Sequence, residues 1–295
     1  MGPQPRIDLH THSTASDGSL TPEELVGHAA SAGLDVLALT DHDTTAGIDR
    51  AAAALPLGLT LLPGAEISCS VAVRGRKVSL HVLAYLFDRA EPRFAAVRAR
   101  LRDERASHAR RMVEGIAAAG HPLRWERVRE LADGTVGRPH VAAALVDAGL
   151  VPTVRDAFTH DWIGAGGRFW LPKTQPDVGE TLRLIRDAGG VSVFAHPFAS
   201  ARGETVGPEV ITDMARAGLT GVEVDHPDHQ PPDRDRLRAL AAELGLLVTG
   251  ASDFHGPGDR RVLGSETTAR TSYEALVDRA SGAAPITAGA GQVSG

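Results

Sequence analysis

The chain has 295 residues, 42% hydrophobic and 23% charged, proportions of a globular protein long enough for one α/β domain with an insertion. A formal charge of −6 disfavours sequence-independent binding to long duplex nucleic acid, and the single cysteine, Cys69, excludes a disulfide framework or a cysteine zinc cluster. No apolar run reaches membrane-spanning length and the opening residues MGPQPRIDLH lack a signal-peptide core, so a cytoplasmic protein without a membrane partner is expected.

The first strand expected, RIDLHTH, sets Asp8, His10 and His12 at every second position, which places them on one face. Asp17 follows just beyond. A helix is then signalled by Thr21 as N-cap, Pro22 in the first turn and Glu24 closing a capping box. DVLALTDHD, LTLLPGAEI and VSLHVLAYLF read as the second to fourth strands, with a helix over 45–54 after the second. From about 91 to 171 the pattern becomes helical throughout: a long helix over 91–119, then shorter ones over 124–132, 138–148 and 153–160. Trp125, Trp162 and Trp170 all fall here, and the stretch reads as a helical subdomain inserted into a domain formed by 1–90 and 172–282. VSVFAHP, GVEVDHP and LLVTGASDFH complete seven strands, with helices expected over 177–188, 207–217, 232–244 and 272–280. Such alternation argues for a parallel α/β sheet or barrel. The Gly/Ala-rich residues 283–295 are expected to form a flexible tail.

Polar residues gather toward the C-terminal ends of these strands: His10 and His12, Asp41 and His42, Glu66, His196, Glu223, Asp225 and His226, then Asp253 and His255, with His81 inside the fourth. In a parallel barrel that face assembles active sites. Imidazoles and carboxylates without thiolates suit Mn²⁺, Zn²⁺ or Fe²⁺, and their number exceeds the needs of one ion, so two or three divalent metals are expected, Mn²⁺ foremost. Each motif alone has a plain structural alternative, such as Asp43 capping a helix or Glu66 buried against an arginine. Their order and common placement favour the metal reading.

Together DLHTHSTASDG, LTDHD, GAEIS, LHVLAY, FAHP and ASDFH resemble the PHP (polymerase and histidinol phosphatase) family over residues 6–88 and 172–270. With the helical insertion, they are similar to the branch of nucleoside 3′,5′-bisphosphate phosphatases and 5′-3′ exoribonucleases. The resemblance implies a distorted seven-stranded (β/α) barrel and three metals. The first would be held by His10, His12, Glu66 and Asp253. The second would share Glu66 and add His81 and His196; the third would take Asp17, His42 and His255. Asp8, Asp41 and Asp43 would support the ligands from outside, because metal-bound histidines need acceptors for their other N–H. The implied reaction is attack by a metal-bridging hydroxide on a 3′-phosphate, with His226 and His229 as candidates for a proton donor. The implied substrate is a small phosphorylated nucleotide or a short 5′-phosphorylated RNA.

A second phosphate needs cations. Arg98, Arg102 and Arg105 recur along one face of the long helix, and Arg138 and His140 stand in GRPHVA at the start of another. Trp162, Phe169 and Trp170 are expected to serve the core of the insertion rather than to stack a base. Three alternatives stand beside this reading. An amidohydrolase with a carboxylated lysine finds neither Lys77 nor Lys173 at a strand end. Histidinol phosphatase fits poorly with Asp17 and the large insertion. A non-catalytic PHP module would have lost ligands. Oligomeric state is open.

Overall fold

The computed structural model describes residues 4–200, 205–258 and 260–289. Seven strands follow one another in space as in sequence: β1 (Ile7–Thr11), β2 (Val36–Leu39), β3 (Thr60–Val73), β4 (Arg76–Tyr85), β5 (Val191–Phe194), β6 (Gly221–Asp225) and β7 (Leu247–Gly250). The sheet nearly closes on itself. His12 N–H donates to the Phe254 carbonyl at 2.9 Å and Thr268 N–H to the Ile7 carbonyl at 2.9 Å, tying β1 to the chain leaving β7. This is the distorted seven-stranded barrel that the sequence implies.

One strand departs from the parallel expectation. β4 runs antiparallel to both β3 and β5, because β3 and β4 form a hairpin turned by Arg74 and Gly75 at φ 49° and 79°. Two left-handed residues in succession match the twist of a tight two-residue hairpin. The hairpin sets His81 opposite Ser68, two residues along from Glu66 on the same face.

The helices are α1 (Pro22–Ser31), α2 (Ile48–Ala53), α3 (Pro92–Ala118), α4 (Trp125–Glu130), α5 (Arg138–Asp147), α6 (Val154–Ala157), α7 (Val178–Asp187), α8 (Pro208–Arg216), α9 (Pro231–Leu244) and α10 (Arg270–Arg279). α1 begins with the expected capping box: Glu24 N–H donates to Thr21 Oγ1 at 3.2 Å, and Thr21 N–H to Glu24 Oε2 at 2.8 Å. α1 and α2 pack over β2 through Leu25, Leu37 and Ile48. α7, α8 and α9 pack over β3 to β6, joined there by Phe94 and Leu101 from the first half of α3. The second half of α3 serves a separate core, where Met112 and Ile116 meet Val128 of α4 and Val141 and Leu145 of α5. Trp125, Trp162 and Phe169 pack against that core, whereas Trp170 is exposed. A single α3 thus spans the barrel and the helices above it. Where a flexible tail was expected, Ile286–Thr287 forms β8 and pairs with Thr60 and Leu61 of β3. Residues 290–295 of that expected tail lie outside the described residues. Among the described residues no helix is long and apolar enough to cross a membrane.

Candidate metal centre

The ends of the strands bring together what the chain keeps up to 245 residues apart. His10 and His12 at the end of β1 meet Glu66 of β3 and Asp253 beyond β7. His10 Nε2 and His12 Nε2 are 3.1 Å apart, each lies 3.2 Å from Glu66 Oε2, and they stand 3.4 and 3.2 Å from Asp253 Oδ1. Ligands about 2 Å from a shared tetrahedral centre lie about 3.3 Å from one another, so these edges fit a metal ion. Around the other oxygen, His81 Nδ1 and His196 Nε2 stand 2.7 and 3.0 Å from Glu66 Oε1. His42 bridges onward, with Nδ1 at 3.1 Å from Glu66 Oε2 and Nε2 at 3.7 Å from Asp17 Oδ2. His255 Nε2 is 3.6 Å from Asp17 Oδ1. Three groups emerge: His10, His12, Glu66 and Asp253; His42, Glu66 and His81; and His12, Asp17, His42 and His255.

The chemistry of the donors supports cation binding. Asp17 Oδ1, His42 Nδ1 and His81 Nδ1 are buried without a well-aligned hydrogen bond, a costly state that a bound cation relieves. Burial works against a charged His10, yet Asp253, Glu66 and Glu223 together raise its pKa well above the ordinary histidine value. His12 rises to about 9 in the same contest between burial and the Asp253 and Glu66 carboxylates. Burial opposes charge on Glu66 too, but His42, His81 and His10 hold its carboxyl well below the usual range. His255 is pushed down to about 4, because burial and His12 outweigh the nearby Asp253 and Asp17 carboxylates.

Backbone strain serves these positions. Among the described residues five non-glycine residues have positive φ, and three of them, Asp43, His196 and Asp253, lie in or beside the cluster. In the loop carrying Asp17, a Cβ on Gly18 would come within 2.4 Å of the His12 carbonyl oxygen, so only glycine lets the loop fold back over β1.

The three aspartates expected to orient histidines hold backbone and side chains of other residues instead. Asp8 accepts from the backbone N–H of Gly264 (2.8 Å) and Ser252 (3.1 Å), closing the barrel seam. Asp41 accepts from Ser13 Oγ and Ser16 Oγ at 2.6 Å each. Asp43 accepts from Ser68 N–H at 2.8 Å and from Arg105 Nε at 2.5 Å. The acceptor for His10 is Glu223, whose Oε1 lies 3.0 Å from Nδ1 and whose Oε2 takes the His196 N–H at 2.8 Å. Glu223 was visible as a strand-end carboxylate, yet no spacing rule pointed it at His10. Arg261 Nη1 lies 2.7 Å from Asp253 Oδ2, a support the sequence did not suggest.

Neither expected proton donor is suitably placed. His229 Nδ1 lies 2.9 Å from the Val224 carbonyl and its Nε2 accepts from Phe198 N–H at 3.2 Å, so both nitrogens serve the backbone. His226 is fully buried, accepts from Asp228 N–H at 2.9 Å, and turns Nε2 toward Asp253 Oδ2 at 3.5 Å.

A cleft of about 760 Å³ opens over the cluster, reaching Asp17, His42, His81, His196 and His255 on one side. Arg105, Arg138, Lys173, Arg260 and Arg261 also line it. Arg98 and Arg102, expected as phosphate ligands, do not reach the cleft. Arg98 donates to Thr45 Oγ1 (3.0 Å) and the Arg89 carbonyl (2.6 Å) between the Phe87 and Phe94 rings, so it anchors α3 to the barrel. Arg102 donates to the Asp43 carbonyl at 3.3 Å. His140 accepts from Gly137 N–H at 3.1 Å and closes the first turn of α5 without lining the cleft. Lys173, set aside on sequence because it follows the insertion, lies inside the cleft.

Histidines and carboxylates clustered beneath a basic wall suit phosphate-ester hydrolysis by bound divalent ions. The class that this fold and site define is that of the metal-dependent phosphoesterases. Comparison with known proteins leads the same way. The PHP domain model matches residues 8–112. The chain is 37% identical to a 5′-3′ exoribonuclease of Haemophilus influenzae, covering 85% of this chain and 90% of that protein. It is 36% identical to a 3′,5′-nucleoside bisphosphate phosphatase of Chromobacterium violaceum, with 86% and 88% covered. A crystal structure described as a metal-dependent phosphoesterase of Bifidobacterium adolescentis superposes with a TM-score of 0.86 at 36% identity, covering 95% of this chain and 98% of that one. The chain belongs to the PHP family.

Proposed function

We propose that the protein hydrolyses the 3′-phosphate of nucleoside 3′,5′-bisphosphates. One observation carries this reading: a single cleft offers two kinds of anion-attracting wall. One is the metal cluster. The other is Arg138 and Lys173, which line the same cleft and make no ion pair among the described residues. Burial, with Arg138 and Arg105 nearby, depresses the Lys173 pKa well below its ordinary value, a crowding that a bound dianion relieves. A simple monoester needs only the metal end. Two phosphates on one small molecule use both.

In this reading His10, His12, Asp17, His42, Glu66, His81, His196, Asp253 and His255 hold two or three divalent ions, with Mn²⁺ the first choice. Such ions supply a nucleophile from water at neutral pH and neutralise the charge developing on the phosphoryl oxygens. The residues of the chain fix the geometry. Glu223 accepts the Nδ1 proton of His10 and so turns its Nε2 lone pair to the cluster. Asp43 and Ser68 fix the Arg105 guanidinium, which lines the same cleft. Arg138 and Lys173 hold the 5′-phosphate, and that grip selects which ester meets the metals.

The Haemophilus relative's name supports a second reading, a 5′-3′ exoribonuclease in which the same cations receive the 5′-phosphate of an RNA. The test is product analysis with Mn²⁺-loaded protein on adenosine 3′,5′-bisphosphate, a short 5′-phosphorylated RNA, histidinol phosphate and an aryl phosphate. Phosphate released from the bisphosphate, with RNA untouched, is the expected result. Mononucleotides released stepwise from RNA support the second reading. Turnover of histidinol phosphate alone overturns both.

A further inference from the structure

We infer that Phe158 and Val154 form a seat for the nucleobase, one that holds any base without reading its edge. The inference rests on the nucleotide reading above and assigns its third contact, beside the two phosphate sites. Among the described residues five large apolar side chains are exposed, and two of them, Val154 (43%) and Phe158 (37%), line the same cleft. They stand four residues apart, at the start of α6 and immediately after it, which is the spacing that puts side chains on one face. Two exposed apolar side chains in a cleft that also carries the charged residues of both phosphate sites imply an apolar face on the ligand.

The position of the ring says which face. The Arg138 guanidinium lies over Phe158, 5.5 Å from the ring centroid. A group held at the Arg138 end of the cleft therefore brings whatever it carries next to this ring. For a nucleotide whose 5′-phosphate sits there, that neighbour is the base, and aromatic stacking is the ordinary way a protein holds a base irrespective of sequence. The loop is built to present the ring. A Cβ on Gly164 would fall 2.6 Å from the Phe158 carbonyl oxygen, and Ile163 N–H returns to the Ala157 carbonyl at 3.0 Å, folding the segment tightly behind Phe158. Gly164, Ala165 and Pro139 line the same cleft, and none of these three carries a side-chain hydrogen-bonding group. Stacking without edge contacts holds purines and pyrimidines alike.

Isothermal titration of the Mn²⁺-loaded protein with adenosine 3′,5′-bisphosphate, uridine 3′,5′-bisphosphate and the abasic 1-deoxyribose 3,5-bisphosphate tests the seat. Phosphate release is followed separately. The wild type should bind the two nucleotides within a few-fold of each other and about tenfold more tightly than the abasic analogue. Phe158→Ala should abolish that preference without weakening the abasic analogue, and Phe158→Trp should keep it. Equal binding of nucleotide and abasic analogue by the wild type overturns the seat, as does a preference that survives Phe158→Ala. Absence of phosphate release with base-dependent binding intact overturns the proposed reaction and leaves the seat standing.

Discussion

The metal cluster and the cationic wall of the cleft are built on opposite principles. At the barrel rim the polar side chains are buried and densely packed: Glu66 stands among five histidines, Glu223 fixes His10, and Asp41 and Asp43 brace the loops. At the helical end, Arg138 and Lys173 are half-buried and make no ion pair among the described residues, and Phe158 is bare. Chemistry that depends on cations held within a few tenths of an ångström needs the first kind of construction. A substrate that must enter and leave needs the second, in which cations and an apolar surface await a partner from solution. On the proposed reading, reaction and selectivity belong to different parts of the chain.

Substitutions distinguish the two constructions. The largest effect is expected for Glu66→Gln, because this carboxylate is shared by two of the three ligand groups. Phosphate release should fall by about a thousandfold or more, with fewer metal ions retained per chain by mass spectrometry. Activity within tenfold of wild type would remove Glu66 from the centre. Arg138→Met comes next. The KM for adenosine 3′,5′-bisphosphate should rise about thirtyfold with kcat nearly kept, since one charge-assisted contact is lost. The KM for adenosine 3′-monophosphate should not move; an equal rise for both would dissociate Arg138 from the 5′-phosphate.

Two further substitutions separate support from function. His229→Leu leaves Phe198 N–H and the Val224 carbonyl without partners, so urea unfolding should show a loss of about 2 kcal/mol. Solvent isotope effects and the pH profile of kcat should stay unchanged, whereas a proton donor at His229 would alter both. Arg98→Met is the mildest, costing about 1 kcal/mol by thermal denaturation and leaving KM for the bisphosphate untouched. A raised KM would return Arg98 to the phosphate-binding set.

How far the sequence foretold these features depends on the range of the interactions behind them. The capping box of α1 spans four residues and was read directly from Thr21, Pro22 and Glu24. The clustering of these histidines and carboxylates was legible because strand-end placement converts distant positions into neighbours, whatever the details of packing. The direction of β4 was not, since SCSVAVRGRK carries a hairpin turn at Arg74–Gly75 inside what reads as a continuation of the strand pattern. Arg98 holds a plainer lesson. It stands four residues after Phe94 and three before Leu101, within the apolar stripe that packs on the barrel, so its own spacing placed it away from solvent. Arg138 and Lys173 meet only through tertiary packing of α5 against the chain leaving the insertion, and no local pattern encodes that.

The most direct measurement of the central claim is a ³¹P nuclear magnetic resonance time course of the Mn²⁺-loaded protein with adenosine 3′,5′-bisphosphate. Loss of the 3′-phosphate resonance, growth of inorganic phosphate and an unchanged 5′-phosphate are the result predicted for a metal end that reacts and a cationic end that grips. Loss of the 5′-phosphate first, or of both at equal rates, would contradict that division.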